Sequence, residues 1–171
     1  MLYQILLHTP SWVWLLLAAL LWRGYAMTRP QRVTQLRLAL LPLLFATLSL
    51  GGVISSFGPQ AGALLCWAGG LALSSYETQR HGAPQGAVYL AQERRYELPG
   101  SWMPLLLIGL IFTVKYSVGV QLALHGELRQ AEPFVLTVSA IYGTLSGVFL
   151  GRALRLWQLQ RLQGATVGAL N

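Results

Sequence analysis

The amino-acid sequence predicts an all-α integral membrane protein, a bundle of about five transmembrane helices. Hydrophobic residues make up 54% of the 171 residues and charged residues only 10%, with a mean hydropathy of +0.52. A soluble domain carries about a quarter charged residues, so this chain has too few charges to cover a globular surface. Its apolar stretches also approach the ~20 residues that a helix needs to cross a bilayer.

Five apolar stretches are the predicted spans: 9–22, 36–57, 60–76, 101–124 and 133–157. The first opens with Thr9 and Pro10, a capping residue followed by a proline suited to the first helical turn. The second ends at Gly58 and Pro59, a pair that stops helices. The helical domain is thus expected over residues 1–163, with a flexible tail at 164–171.

The segment 77–100, between the third and fourth spans, is polar and differs from the rest of the chain. Two short runs rich in β-forming residues, 88–92 and 95–98, flank Glu93 and Arg94. This pattern predicts a small β-hairpin, and an irregular loop at the membrane interface is the alternative.

The arginines divide unequally between the predicted loops. Ten lie in the first loop, the third loop and the C-terminal end: Arg23, Arg29, Arg32, Arg37, Arg80, Arg94, Arg95, Arg152, Arg155 and Arg161. Only Arg129 lies in the loops of the opposite side. Because basic residues mark cytoplasmic loops, we expect a bacterial inner-membrane protein with a periplasmic N-terminus, a cytoplasmic C-terminus and a cytoplasmic segment 77–100. The net charge of +7 then reflects orientation, and we expect no nucleic-acid partner.

Small residues recur every four positions in two of the predicted spans. The third span has Gly62, Cys66, Gly70 and Ser74, and the fifth has Ser139, Gly143, Gly147 and Gly151. Such stripes let helix backbones approach closely. They predict helix packing, either within the chain or at a homodimer seam, and a thin wall beside a ligand path is the alternative. Because Cys66 is the single cysteine, it permits neither an intrachain disulfide nor a cysteine metal cluster.

Lys115 lies near the middle of the fourth span, where a charge is costly. The chain has no aspartate, and its glutamates all lie in or next to predicted loops. The lysine is therefore neutral, or bonded to carbonyls and hydroxyls such as those of Thr47 and Ser49, or facing a cavity that receives an anion. The candidate ligand-binding residues are Lys115, Tyr116, Tyr142 and Ser139.

A weak internal repeat bears on function. Ser11-Trp12 and the leucines that follow resemble Ser101-Trp102 and its leucines, in spans of opposite predicted direction. Inverted repeats are common in transporters. The sequence thus favours a small transporter or a ligand- or ion-binding membrane protein centred on Lys115, binding an anionic small molecule or lipid. The alternative is a structural or accessory protein that associates with itself or with another membrane protein.

An enzyme is the third reading, because no nucleophile or acid–base constellation is visible. His8 and His125 lack the spacing of metal ligands, so no metal site is predicted. No motif points to a particular cofactor.

Three motifs resemble a family of small bacterial inner-membrane proteins of unknown function. They are Pro99-Gly100-Ser101-Trp102-x-Pro104, Phe112-x-x-Lys115-Tyr116-x-x-Gly119 and Tyr142-Gly143-x-x-Ser146-Gly147-x-Phe149-x-Gly151-Arg152. The opening His8-Thr9-Pro10-Ser11-Trp12 is similar too, so the resemblance covers nearly the whole chain. A looser likeness is to small membrane proteins labelled as cytochrome c biogenesis factors. That chemistry usually needs a cysteine pair, and Cys66 has no second cysteine to join it.

Overall fold

The computed structural model describes residues 11–81, 86–90 and 95–168, and over these ranges the chain is mainly helical. The α-helices are α1 Ser11–Ala26, α2 Gln35–Phe57, α3 Ala61–Arg80, α4 Met103–Leu124 and α5 Glu132–Gly168. A 3₁₀ helix covers Gly126–Arg129, and the strands are β1 Gln31–Thr34, β2 Val88–Leu90 and β3 Arg95–Leu98. The predicted all-α class is therefore confirmed, with five α-helices in the described ranges.

The predicted boundaries hold best where glycine or proline stands at a helix end. Gly58 ends α2 with φ at +77°, and its N–H donates to the Ile54 carbonyl at 2.8 Å. This left-handed conformation favours glycine, and Pro59 follows it. At the start of α4, Pro104 occupies the first turn, where its missing N–H removes no helical hydrogen bond.

Three predicted helix ends are too early. Helix α1 continues to Ala26 instead of residue 22, and α3 continues to Arg80 instead of residue 76. The polar turn 77–80 stays helical because Glu, Gln and Arg are good helix formers, and Glu77 pairs with Arg80 at 3.5 Å. Helix α5 continues to Gly168, so residues 164–168 are helical, not a flexible tail. A single glycine inside a helix costs only about 1 kcal/mol, so Gly164 does not end it.

Parts of three predictions lie outside the described residues. These are the start of the first span at Thr9 and Pro10, the hairpin turn at Glu93 and Arg94, and residues 169–171 of the tail.

Three helices of the described chain are long and apolar enough to cross a membrane: α2, α4 and the part of α5 from Glu132 to Gln158. The other two differ in length or composition. Helix α1 has 16 described residues, and α3 has 20 residues but is rich in Gly, Ala and Ser. The five-span count thus stays a prediction.

A three-stranded antiparallel sheet has the order β1-β3-β2. The two strands predicted between α3 and α4 are present and pair with each other, with Tyr89 opposite Tyr96. The sequence interpretation missed β1, whose four residues Gln-Arg-Val-Thr are too short and polar to indicate a strand. Because β1 pairs with β3, the segment before α2 and the segment after α3 lie at the same end of the α2–α3 helix pair.

The chain forms two compact units. The first contains α1 and α4. These helices are antiparallel, because Gly24 lies against Leu105 while the Trp14 ring lies 6.3 Å from that of Tyr116.

The second unit contains α2, α3, α5 and the sheet. Helices α2 and α5 are antiparallel: the ring of Phe45 stacks on Phe149 at 4.6 Å, and Phe57 meets Phe134 at 6.1 Å. Helices α3 and α5 run in the same direction, since successive glycines of α5 contact successively later residues of α3.

Candidate functional site

Lys115 lies twelve residues after the start of α4 and nine before its end, about 18 Å and 14 Å at 1.5 Å per residue. Ile108 and Leu122 stand seven residues away on either side and are 4% and 8% exposed. Residues seven apart share a helix face, so Lys115 belongs to the packed face of α4. The leucines at 106, 110 and 124, exposed by 49–65%, mark the opposite face.

Tyr116, beside Lys115, is held among aromatic rings of the first unit. Phe112 stacks on it with centroids 6.0 Å apart and planes at 12°, and Trp14 of α1 lies 6.3 Å from it. Two of the four predicted ligand residues therefore lie on α4 in the first unit. Ser139 and Tyr142 lie on α5 in the second. The grouping of all four into one site stays a prediction.

A buried hydrogen-bond cluster joins the three helices of the second unit. Ser49 of α2 donates to the Tyr142 carbonyl of α5 at 3.0 Å and accepts a hydrogen bond from Trp67 Nε1 of α3 at 3.0 Å. Ser146 donates to the same carbonyl at 3.0 Å. Sequence reasoning missed Trp67. Its position in mid-helix was the available signal, since the other five tryptophans lie near the ends of predicted spans.

Two further hydroxyls behave differently from Ser49. Ser139 is fully buried, and no hydrogen bond reaches its Oγ from the described part of the chain. Thr47 is exposed and donates within α2, to the Leu43 and Leu44 carbonyls at 3.0 Å each. The Thr47 hydroxyl thus makes its hydrogen bonds within its own helix and is not part of the cluster around Ser49.

The two small-residue stripes lie against each other. A Cβ added at Gly143 would overlap the Trp67 carbonyl, and one at Gly147 would overlap the Leu71 carbonyl. From the other side, a Cβ at Gly70 would lie 2.5 Å from the Ala140 carbonyl. The backbones of α3 and α5 are therefore in direct contact, which larger side chains would prevent.

A groove of about 550 Å³ runs beside this contact, open at the surface. Helix α3 contributes Cys66, Gly69, Gly70, Leu73, Ser74 and Glu77, and α5 contributes Ala140 and Thr144. Ser74 donates to the Thr144 carbonyl at 2.9 Å, so this hydroxyl ties the two walls together. Glu77 supplies the one charged side chain of this lining.

Comparison with known protein families identifies the chain. Residues 1–166 match the Family of unknown function (DUF6622). The chain belongs to this family. No curated protein and no solved structure matches it. The predicted resemblance to a family of unknown function is thus confirmed, and the likeness to cytochrome c biogenesis factors receives no support from these comparisons.

Membership of DUF6622 assigns no activity, so function has to be argued from this member's own side chains. Within residues 11–81, 86–90 and 95–168, no three His, Cys, Asp or Glu side chains come together as a metal site. The features that remain are the lysine on α4, the cluster around Ser49, and the groove between α3 and α5.

Proposed function

We propose that this chain is a five-span protein of the bacterial inner membrane that binds an anionic small molecule or lipid headgroup at Lys115. The observation that carries the proposal is the position of Lys115 near the middle of α4, on its packed face. A lysine at this depth is costly, and such residues usually mark ligand or ion sites.

The direction of the helices supports five spans. Helix α3 follows α2 after only Gly58, Pro59 and Gln60 and runs parallel to α5. If α2 and α5 cross the bilayer, α3 crosses it too. Helix α1 is antiparallel to α4 and supplies the remaining span. The ten-to-one distribution of arginines then favours a periplasmic N-terminus and a cytoplasmic C-terminus.

Single cysteines test this topology. In a Cys66→Ala background, Gln60→Cys marks the connection between α2 and α3, and Arg95→Cys marks the sheet. In intact cells, a membrane-impermeant maleimide should label position 60, reached through the outer membrane, and label position 95 only after the inner membrane is permeabilised. The reverse pattern rejects the orientation. Equal labelling of both positions rejects the crossing by α3 between them.

The chemistry at Lys115 favours an anion. A protonated amine offers three hydrogen-bond donors, and low dielectric strengthens its attraction to a carboxylate or phosphate. The neighbouring Tyr116 hydroxyl supplies a further donor. An anion bound there would offset the cost of keeping the lysine charged.

Lys115→Met tests the site. The purified protein in dodecyl maltoside is heated with added phosphatidylglycerol, phosphatidylcholine or inorganic phosphate. Phosphatidylglycerol or phosphate should raise the unfolding temperature of the wild type and of Lys115→Arg, as binding to the folded state requires. It should not raise that of Lys115→Met. Arg129→Met, which removes an exposed cation, is the matched control. An unchanged response in Lys115→Met would reject the site.

The accessory role, by self-association, is the second candidate, and one feature of α4 favours it. Gly109, Thr113 and Ser117 stand four residues apart; Thr113 and Ser117 are exposed, and no atom lies within 4 Å of a Cβ placed on Gly109. Such spacing suits a second helix. In the Cys66→Ala background, Ser117→Cys should form a disulfide between copies and Val118→Cys, on the buried face, should not. Equal yields would reject this face as a dimer seam.

A further inference from the structure

The groove between α3 and α5 is built for an apolar occupant. Its volume of about 550 Å³ falls within the range of small-molecule sites, and its lining is almost wholly apolar. The floor is backbone, because Gly70 touches the Ala140 carbonyl and Gly69 has no side chain. No atom lies within 4 Å of a Cβ placed on Gly69, so the space above that residue is open.

The length of the groove matches one leaflet of a bilayer. Cys66 and Glu77 mark its two ends along α3 and are eleven residues apart, about 16 Å along a helix. Half of a ~30 Å hydrocarbon core is about the same length. Glu77 lies one turn from the end of α3, on the side of the sheet. The charged end of the groove therefore lies where lipid headgroups would be.

The charges at this end are paired and opposite. Glu77 Oε1 lies 3.5 Å from Arg80 Nη1, and both side chains are more than half exposed. A zwitterionic headgroup with an ammonium and a phosphate complements such a pair, the ammonium at the carboxylate and the phosphate at the guanidinium. Phosphatidylethanolamine has N–H donors for Glu77, whereas phosphatidylcholine has none and phosphatidylglycerol has no cation.

We propose that the groove binds one acyl chain of phosphatidylethanolamine from the leaflet on the side of the sheet, with its headgroup on Glu77 and Arg80. This inference rests on the membrane location proposed above. It does not depend on Lys115, which lies in the other unit.

Filling the groove is the direct test. Gly69→Leu places a side chain in the open space, since a Cβ on Gly69 has no atom within 4 Å. Gly51→Leu is the matched control, because Gly51 is also an exposed helical glycine of the second unit with no atom within 4 Å of an added Cβ. Both variants replace glycine by a better helix former. Similar unfolding temperatures for the two would show that Gly69→Leu folds.

The readouts are lipid retention and photolabelling. Native mass spectrometry should show several-fold more phosphatidylethanolamine than phosphatidylcholine retained by the wild type and by Gly51→Leu. Gly69→Leu should lose this retained lipid. Phosphatidylethanolamine with a diazirine on its acyl chain should label residues 66–77 in the wild type. Glu77→Gln should keep the acyl labelling and lose the preference for ethanolamine over choline.

Several results would overturn the proposal. Equal retention of the two lipids by the wild type would reject the headgroup assignment, and unchanged labelling in Gly69→Leu would reject the groove. Loss of a dimer in Gly69→Leu, with lipid retention unchanged, would assign the groove to a second copy instead. Alkaline carbonate extraction tests the membrane location separately, because a protein that does not span the membrane is released into the supernatant. A protein that stays in the membrane without retaining lipid contradicts only the groove.

Discussion

The two units of this protein hold their helices together in different ways. In the second unit, α3 and α5 meet backbone to backbone at glycines such as Gly143 and Gly147. In the first unit, α1 and α4 meet at one glycine and through side chains: a Cβ added at Gly24 would lie 2.8 Å from Leu105 Cδ1 and 3.1 Å from Leu105 Cα, and the Trp14 ring lies 6.3 Å from that of Tyr116. Burial differs accordingly. The most apolar stretches of α5 and α2 are 44% and 24% buried, against 17% for that of α4.

The difference bears on what would fix helix geometry in the proposed membrane location. Lipid is as apolar as leucine, so helices associate through close packing and hydrogen bonds. The second unit has both, since its glycine contacts are joined by the hydrogen bonds of Ser49 and Ser74. A backbone contact permits one geometry, whereas contacts between side chains can readjust. The second unit should therefore be the more rigid of the two.

The largest effect is expected for Gly143→Leu. Its side chain would overlap the Trp67 carbonyl, and a backbone atom cannot move aside, so the two helices have to separate. We expect a loss of about 3 kcal/mol or more in the free energy of unfolding. Titration from dodecyl maltoside into SDS, followed by circular dichroism, measures this loss.

The matched control is Gly119→Leu in the first unit, where no atom lies within 4 Å of an added Cβ. This variant should be neutral or slightly stabilised, because leucine is the better helix former. If both glycine variants lose similar stability, the contrast between the units is wrong.

The sheet belongs to the second unit, and Tyr96 tests how tightly the sheet is packed there. Its side chain is fully buried, and burial, with a smaller effect from neighbouring Tyr89, raises the pKa of Tyr96 from 10.0 to about 12. A phenol whose pKa is raised by folding stabilises the fold below pH 10, and this contribution is lost as the pH rises through 12. We expect a loss of roughly 2 kcal/mol by pH 12.

Unfolding temperatures between pH 9 and pH 12 measure this effect. Tyr96→Phe should show a smaller decline than the wild type over this interval, whereas Tyr76→Phe, at an exposed position, should decline like the wild type. Absorbance at 295 nm provides a second readout, since the difference between wild type and Tyr96→Phe should titrate near pH 12. Titration of that difference near pH 10 would mean that Tyr96 is accessible to solvent.

The sequence predicted those parts of the fold that local signals control. Hydropathy located the helices, and Gly58 with Pro59 placed the end of α2 correctly. The end of α3 was missed because Glu77 and Arg80 are polar but good helix formers, and hydropathy marks the apolar part of a helix instead of its end. Strand β1 was missed because its partner β3 lies about 60 residues away, and no local pattern encodes that pairing.

For the candidate site, too, the sequence predicted the features that a local pattern marks and left open the contacts between distant segments. A period of four residues located both small-residue stripes, but the sequence left open whether they pack within one chain or between two. Contacts such as Gly143 with Trp67 show α3 and α5 of one chain together. Lys115 was recognisable by its charge inside a span. Its place on the packed face follows from a spacing of seven from Ile108, whose burial the structure shows and the sequence does not, because α4 is apolar on all sides.

Removal of the Ser49 hydroxyl should have an intermediate effect. Ser49→Ala deprives Trp67 Nε1 of its acceptor and the Tyr142 carbonyl of one donor. We expect a loss of about 1 kcal/mol in the free energy of unfolding, typical of a hydrogen bond between membrane helices. Ser55→Ala is the control, because Ser55 is exposed and donates only within α2, to Gly52. A loss equal to that of Ser55→Ala would mean that the cluster contributes nothing to the tighter packing of the second unit.

The smallest effect, and the one of opposite sign, is expected at Ser139. Its hydroxyl is fully buried, and within the described part of the chain it receives no hydrogen bond. A buried hydroxyl without a hydrogen bond is destabilising, so Ser139→Ala should gain up to about 1 kcal/mol. Ser146→Ala is the contrasting control, since Ser146 is equally buried but donates to the Tyr142 carbonyl and should lose stability. A loss of stability in Ser139→Ala would mean that Ser139 already has a structural partner in the folded chain.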